Sequence, residues 1–343
     1  MTVLNGSSIA LDAFGGDLAP AATVEGALEA VREDGLDVLL VGPSRIIRRH
    51  LGRFRLLPSG LEIVEAPEII EMDESPLVVL RKKKRSSLAM CAQLVRDGQA
   101  AAMVTAGNTG AAWIAAKSIL GMIPGVQRPA LAAILPKVGG STLVLDVGAN
   151  VECRPDHLVQ FAVMGSLYAE RVLSVEHPRV GLMSVGEEEE KGGRKGRERY
   201  RILSKAGIRF VGNVEGSDIF SPRVDVVVCD GFTGNVILKV AEGLGEMIIG
   251  ALMHEAQQSN LYSAGFLMAK GAFRNLKSRM DYSEYGGAPL LGVNGACLIG
   301  HGRSNARAIR NALRFAARFA TQGVVGRIGE IAPEVLESNE TGE

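Results

Sequence analysis

The sequence predicts an α/β fold: a mostly parallel sheet with helices on both faces, arranged as two lobes that share the sheet and leave a cleft between them. Three observations carry that expectation. Short apolar, β-branched runs alternate with stretches of helical periodicity along most of the 343 residues, the pattern of strand–helix–strand crossovers. Turns of glycine and small polar residues follow several of these runs: 12–17 reads DAFGGD, 105–110 TAGNTG and 230–235 DGFTGN. The composition holds 42 glycines and one tryptophan at 47% hydrophobic residues, which suits a turn-rich enzyme with a large core and not a disordered chain.

Taken in order, residues 8–11 are a first apolar strand running into DAFGGD. Residues 20–33 read as a helix with Pro20 in its first turn, where the missing N–H is harmless. A strand at 38–41, Gly42-Pro43, a helix at 44–51 and a strand at 61–64 follow. Arg81, Lys82, Lys83, Lys84 and Arg85 are consecutive cations; as residues alone they read equally as a solvated face or as a docking patch for an acidic partner. A helix is expected at 87–96, a strand at 101–105, and a helix at 111–120 after the AGNTGA turn. Strands are expected at 131–135, 142–145 and 179–183, with a helix over 154–171.

Glu187–Glu190 precede Lys191-Gly192-Gly193 and make a charged, mobile loop. A helix at 198–206 and a strand at 208–211 come next. Val226, Val227 and Val228 read as a strand buried on both faces. The turn 230–235 follows, then a helix from Val236. Residues 246–280 are amphipathic, with a break at 259–260 and a basic face in the second half. Core or dimer packing and binding to an anionic membrane surface both remain open for that segment. A glycine-rich turn at 285–292, a basic helix at 305–321 and a fraying tail at 331–343 complete the chain. Without a repeat or a linker, residues 8–330 are expected to form a single two-lobed domain.

Lys+Arg and Asp+Glu both number 38, which argues against a nucleic-acid partner, since that needs a basic surplus. Cys91, Cys153, Cys229 and Cys297 are widely spaced. They imply free thiols in a reducing cytosol, with neither a zinc site nor a disulfide framework. Residues 1–7 carry no signal-peptide pattern. The longest uncharged stretch, 98–116, is interrupted by Gly107-Asn108-Thr109-Gly110 and reads as strand, turn and helix, so no membrane span is expected.

A turn at a helix start points backbone N–H groups at an anion. Any one such turn is equally an ordinary α/β connection; three together imply one cleft for a phosphate-like group.

Eight motifs occur in order: DAFGGD (12–17), RKKKRSS (81–87), TAGNTGA (105–111), LDVGANVEC (145–153), GEEEEKG (186–192), FVGNVEG (210–216), CDGFTGNVILK (229–239) and YGGAPLLG (285–292). With them the chain resembles, over residues 8–304, the bacterial acyl-(acyl-carrier-protein):phosphate acyltransferases of the PlsX type. That resemblance implies transfer of a fatty acyl chain from its carrier-protein thioester to inorganic phosphate. The acyl phosphate would feed a membrane glycerol-3-phosphate acyltransferase in phospholipid synthesis. It also implies a fold similar to isocitrate and isopropylmalate dehydrogenases and phosphate acetyltransferases. The protein is then expected to be a cytoplasmic, peripherally membrane-associated homodimer. Inorganic phosphate is its co-substrate, with no cofactor and no metal.

Phosphate is then the nucleophile. The enzyme must hold an anion against a thioester carbonyl, stabilise the oxyanion and release a thiolate. Lys191 and Asn235 are the candidate catalytic residues. Lys191 orients phosphate or meets developing charge, and Asn235 serves the oxyanion or the phosphate. Asn108, Thr109 and Gly110 supply one phosphate-binding turn, and Thr233 and Gly234 another, working opposite the first and beneath Lys191. Asp12, Gly15, Gly16 and Asp17 line the cleft floor, Asp12 by orienting a neighbouring donor. His301 is the candidate acid for the thiolate, and Asp146, Asn150 and Glu152 support the site. An acidic carrier helix would dock on Arg81, Lys82, Lys83, Lys84 and Arg85, or on 194–199.

The sequence departs from the family pattern in four places. Phe14 replaces a usual Met. Ser217 replaces a usual Arg, with Arg223 the expected substitute. Arg303 replaces a small residue beside His301, and the glutamate loop continues into an unusually basic GGRKGRER. The alternative enzyme class is phosphate acetyl or butyryl transfer from coenzyme A.

Overall fold

The computed structural model describes residues 7–52, 57–269, 271 and 286–331. Its strands are β1 (Ile9–Asp12), β2 (Val38–Gly42), β3 (Leu61–Glu65), β4 (Ala102–Thr105), β5 (Ala130–Lys137), β6 (Gly140–Leu145), β7 (Val180–Met183), β8 (Phe210–Val214), β9 (Val226–Val228), β10 (Ala288–Leu291) and β11 (Ala296–Ile299). They form one sheet in the order β3-β2-β1-β4-β11-β10-β5-β6-β9-β7-β8. The helices are α1 (Ala21–Asp34), α2 (Ser44–Leu51), α3 (Val78–Arg81), α4 (Ser87–Arg96), α5 (Thr109–Ala115), α6 (Pro155–Arg171), α7 (Gly193–Leu203), α8 (Gly231–Ala256), α9 (Asn260–Met268) and, after the last strand, α10 (Ala306–Thr321).

Strand direction organises the molecule. β3, β2, β1, β4 and β11 are mutually parallel, and so are β6, β9, β7 and β8. Between the two blocks, β11–β10, β10–β5 and β5–β6 are all antiparallel, so the blocks run in opposite senses. Register then fixes their stagger. In the first block Asp12, Thr105 and Ile299 end their strands level with one another. Pro289 pairs with Leu298, Leu290 with Leu131, and Ala132 with Leu145. Leu145 and Val228, which end the central strands of the second block, are themselves paired. One further register step from Leu290–Leu131 sets Pro289 beside Ala132. The C-terminal ends of both blocks therefore lie at nearly one level. The chain segments leaving them are three (β11 to β6) to six (β1 to β9) strand spacings apart, roughly 14–29 Å.

Helices cover both faces. Ile9 and Leu11 of β1, with Leu143 and Leu145 of β6, pack under α1, α6 and α10. Ala10, Val144 and Val227 face the other way, toward α4 and α5. Each apolar layer runs through both blocks, as the period-2 alternation of strands demands. Side chains cap several helices: Ser86 accepts from Ala89 N, Asp230 from Thr233 N and Asn305 from Ala308 N. Gly26 lets α1 lie against α10, where a Cβ would sit 2.5 Å from the Ala306 carbonyl oxygen.

Several expected boundaries move. The sheet carries three antiparallel pairings: β5 and β6 are joined by a hairpin through Gly139, at φ +82, and β10 and β11 by residues 292–295, both too short for a crossover, while β10 also pairs with β5. Residues 288–291 are the strand β10 and not part of a turn; Tyr285 lies outside the described residues. The helix expected at 198–206 is α7, starting at Gly193, so much of the basic stretch 194–199 is helical. The strand expected at 208–211 is β8, shifted by a register irregularity near Gly212, at φ +93. Helix α8 begins at Gly231 because Asp230 caps it, which puts Thr233, Gly234 and Asn235 in its first turns. It passes unbroken through residue 246, and Ser259 caps α9 at the expected break. Residues 270, 272–280 and 332–343 of the amphipathic and tail segments lie outside the described residues.

Candidate active site

The first block contributes the floor. Asp12 is buried, and its Oδ2 accepts the Thr105 hydroxyl at 2.8 Å while Oδ1 accepts the Phe14 N–H at 3.2 Å. Burial raises its carboxyl above the ordinary value, opposed by hydrogen bonds from Ser87 and Thr105. Thr105 Oγ1 in turn accepts the Gly107 N–H at 3.1 Å, so Asp12 orients the hydroxyl that shapes the next turn. A Cβ on Gly15 would meet Thr105 Oγ1 at 2.7 Å and Gly107 N at 2.8 Å; Gly15 is what lets the two loops touch. Gly16 takes φ +108 against the Gly302 carbonyl, which also accepts the Asp17 N–H at 2.7 Å. Loops 12–17, 105–107 and 300–304 are thus one packed unit.

Asn108 is committed to that unit. Its Oδ1 caps α5 by accepting from Ala111 N, and its Nδ2 donates to the Met72 and Glu74 carbonyls. The side-chain amide is therefore a brace, which leaves the backbone N–H groups of Thr109 and Gly110 as the donors of that turn.

The second block contributes α8. Its start is not the open cradle expected from DGFTGN. Asp230 Oδ1 accepts from Thr233 N at 2.9 Å, the Gly231 N–H donates to the Asn150 carbonyl at 2.7 Å, and the Gly234 N–H to the Asp230 carbonyl at 3.0 Å. A carboxylate already complements the positive helix end, so Thr233 and Gly234 hold no anion through these amides. Gly234 serves contact: a Cβ there would lie 1.8 Å from the Asp146 carbonyl oxygen. The Asp146 carboxylate is enclosed by N–H groups of Leu131, Gly148, Ala149 and Asn150 and by the Asn150 amide. Burial raises its carboxyl despite those bonds. Asn235 stands one residue past this close approach, half-buried beside Gly148. Its side-chain amide makes no hydrogen bond among the described residues.

From Asn235, α8 runs toward His301 and Arg303 of the first block. Glu242 follows by seven residues, two turns and about 10 Å along the axis on the same face. There it comes within electrostatic reach of His301 and Arg303, while burial raises its carboxyl. Glu246 pairs with Arg303 at 3.8 Å. His301 Nδ1 accepts the Arg303 N–H at 3.1 Å, so in the neutral ring the proton sits on Nε2. Helix α8 thereby joins the Asn235 end of the site to the His301 end.

Lys191 is exposed on the glutamate loop and pairs only loosely with Glu188, at 3.8 Å. Such a surface pair is easily exchanged for an anion. No hydrogen bond or ion pair joins Lys191, Asn108 and Asn235 to one another; the stagger of the sheet brings their loops to one level without contact. Arg223, the expected substitute for the arginine missing at Ser217, pairs with Glu187 and Asp218. In the basic run, Lys83 is likewise committed, donating to the Ile69 carbonyl and Glu74 at 2.6 Å, which leaves Arg81, Lys82, Lys84 and Arg85 on the surface.

All four thiols are held protonated. Burial pushes Cys297 up to about 12; burial, then the Asp146 and Asp230 carboxylates, do the same to Cys153. Burial likewise raises Cys91 and Cys229 well above the ordinary thiol. No cysteine thiolate is poised as a nucleophile.

A sequence model of the family described as fatty acid synthesis protein matches residues 7–327. The chain belongs to that family. A phosphate acyltransferase from Pelotomaculum thermopropionicum is 51% identical over 333 residues, covering 97% of this chain and 96% of its own. This family member is accordingly an enzyme of the acyltransferase class. Its fold is shared with a phosphotransacetylase from Streptococcus pyogenes, at TM-score 0.63 and 17% identity, covering 93% of this chain and 95% of that one. A 4-hydroxythreonine-4-phosphate dehydrogenase from Klebsiella pneumoniae follows at TM-score 0.52 and 15% identity, covering 91% and 99%.

Two features escaped the sequence reading. Glu242 is found only by counting two helical turns from Asn235, in a segment of otherwise apolar pattern. The Asp146 enclosure needed the fold, because Leu131 and Gly148 meet it through strand pairing.

Proposed function

We propose that the enzyme transfers a fatty acyl chain from the thioester of an acyl carrier protein to inorganic phosphate, with residues 8–330 acting as one two-lobed catalytic unit. The observation that carries this reading is full-length kinship with a phosphate acyltransferase, in a site whose thiols are all protonated. In this reading the acceptor phosphate supplies the nucleophile. A phosphate oxygen adds to the thioester carbonyl carbon, the tetrahedral oxyanion collapses, the C–S bond breaks and the thiolate takes a proton.

Asn235 Nδ2, free of other partners, donates to the oxyanion. Lys191 swings from Glu188 to the phosphate and offsets its charge. The Thr109 and Gly110 N–H groups hold the acceptor above the Gly15–Gly16 floor. His301 Nε2 delivers the proton to sulfur, with Glu242 stabilising the protonated ring. The exposed cations Arg81, Lys82, Lys84 and Arg85 receive the acidic carrier protein. The acyl phosphate passes to a glycerol-3-phosphate acyltransferase at the membrane. The apolar side chains that α8 exposes, Val240 and Met247 among them, favour a homodimer with peripheral membrane contact. No helix among the described residues is long and apolar enough to cross a membrane.

Turnover of a long-chain acyl carrier protein against the same acyl group on coenzyme A tests the donor. A kcat/KM at least about tenfold higher for the carrier protein is expected; preference for coenzyme A contradicts the reading.

A further inference from the structure

Beside the Asp146 enclosure lies an open pocket of about 570 Å³ whose lining includes Arg128, Arg154, Lys195 and Arg199. Three separate parts of the fold bring these cations together. Arg128 precedes β5, Arg154 stands at the start of α6, and Lys195 and Arg199 lie one turn apart on α7. Two carboxylates, Glu152 and Glu198, share the lining, yet none of the four cations forms an ion pair among the described residues. Arg154 instead donates to neutral partners, Gln127 Oε1 at 2.6 Å and His157 Nε2 at 3.3 Å. Arg199 reaches the Cys153 carbonyl at 3.5 Å.

The start of α6 adds to the positive potential. A helix of 17 residues opens at this pocket with an arginine at its N-cap. An N-cap normally offers an oxygen acceptor, and arginine has none. The positive helix end adds to Arg154 and Arg128, offset in part by Asp156 in the first turn of α6, which forms no ion pair with either arginine. Burial first, then these two arginines, lower the proton affinity of His157.

We propose that this pocket binds a tetrahedral phosphate oxyanion. Arg128, Arg154 and Lys195 are its charge-assisted donors. Two sources share that chemistry: free inorganic phosphate, and the phosphodiester through which a carrier protein bears its thiol arm. The second rests on the acyl transfer proposed above; the binding itself does not.

The test uses the full chain and three variants, Lys195→Gln, Arg128→Gln and the double variant. The lysine and Arg128 side chains are exposed, and matching circular dichroism checks folding. Calorimetric titration at low salt with inorganic phosphate, and separately with a pantetheine phosphodiester, should show binding by the wild type. The double variant should bind at least about tenfold more weakly, the loss of one charge-assisted hydrogen bond or more. In turnover, a raised KM for phosphate alone assigns the pocket to the acceptor. A raised KM for acyl carrier protein that disappears with an acyl-N-acetylcysteamine donor assigns it to the arm. Binding lost in the variants while no acyl phosphate forms would sustain the pocket and sink the acyl transfer. Equal binding and equal KM values in wild type and double variant would overturn the pocket while leaving the acyl transfer standing.

Discussion

Asn235 and Lys191, the side chains proposed to act on oxyanion and phosphate, are placed differently. Asn235 is fixed by the first turns of α8, one residue past the contact of Gly234 with Asp146, and its amide is unspent. Lys191 is exposed, and its one ion pair among the described residues, with Glu188 at 3.8 Å, is weak. Asn235→Ala should therefore lower kcat about 10²–10³-fold with little change in KM, as for removal of an oxyanion donor. Lys191→Ala should raise the KM for phosphate more than that for the acyl donor. Steady-state kinetics with each substrate varied in turn separates the two. The sequence marked both residues through their motifs. It misassigned the turn around Asn235, because DGFTGN reads as a loop until Asp230 is seen to cap the helix. It also gave Asn108 a ligand role that the structure gives to a brace, since nothing local announces the Met72 and Glu74 carbonyls.

At the scale of elements, two contacts set the frame. Gly234 places α8 against the end of β6, and Gly234→Ala should destabilise the protein by at least about 3 kcal/mol, more than ordinary overpacking. Gly243 sits on the same helix with nothing within 4 Å of the point where a Cβ would stand, so Gly243→Ala should be neutral or stabilising by up to about 1 kcal/mol. Urea unfolding of the pair compares a contact glycine with a merely helical one.

The second contact is the ion cluster of Asp225, which leads into β9, with Lys137 of β5 at 2.9 Å and Arg179, before β7, at 2.8 Å. Burial alone would raise the Asp225 carboxyl, but hydrogen bonds from Arg179 and Lys137 outweigh it and hold the group well below the ordinary carboxylate value. A depressed folded value means stability that is present above the unfolded pKa, about 4, and lost as pH falls from there toward the folded value. Asp225→Asn should cost about 3–5 kcal/mol near neutrality by leaving two cations unpaired. The gap from wild type should narrow as pH drops below about 4. A gap independent of pH would mean that the cluster is not ionised as described.

For the whole molecule, the decisive feature is the opposed sense and stagger of the two parallel blocks, which brings the C-terminal ends of β1, β4 and β11 level with those of β6 and β9. Strand and helix identities were legible in the alternation of apolar runs, and several elements lie where periodicity put them. The stagger was not legible, because it depends on the antiparallel β5–β6 hairpin and the short β10, whose register no local pattern encodes. The same limit hid the pocket of Arg128 and Arg154, residues far from α7 in sequence. An apolar face on a helix as long as α8 also implies a partner surface. If the homodimer proposed above forms through this face, Val240→Glu combined with Met247→Glu should shift sedimentation from dimer to monomer.

The central claim is that phosphate itself attacks the thioester. The most direct measurement supplies palmitoyl-acyl carrier protein and inorganic phosphate labelled with ³²P, then traps product with hydroxylamine. The expected product is a labelled acyl phosphate that forms only with phosphate present, converts to palmitoyl hydroxamate, and falls about 10²-fold or more in rate with Asn235→Ala. Release of free fatty acid without labelled acyl phosphate, from correctly folded protein, would contradict it.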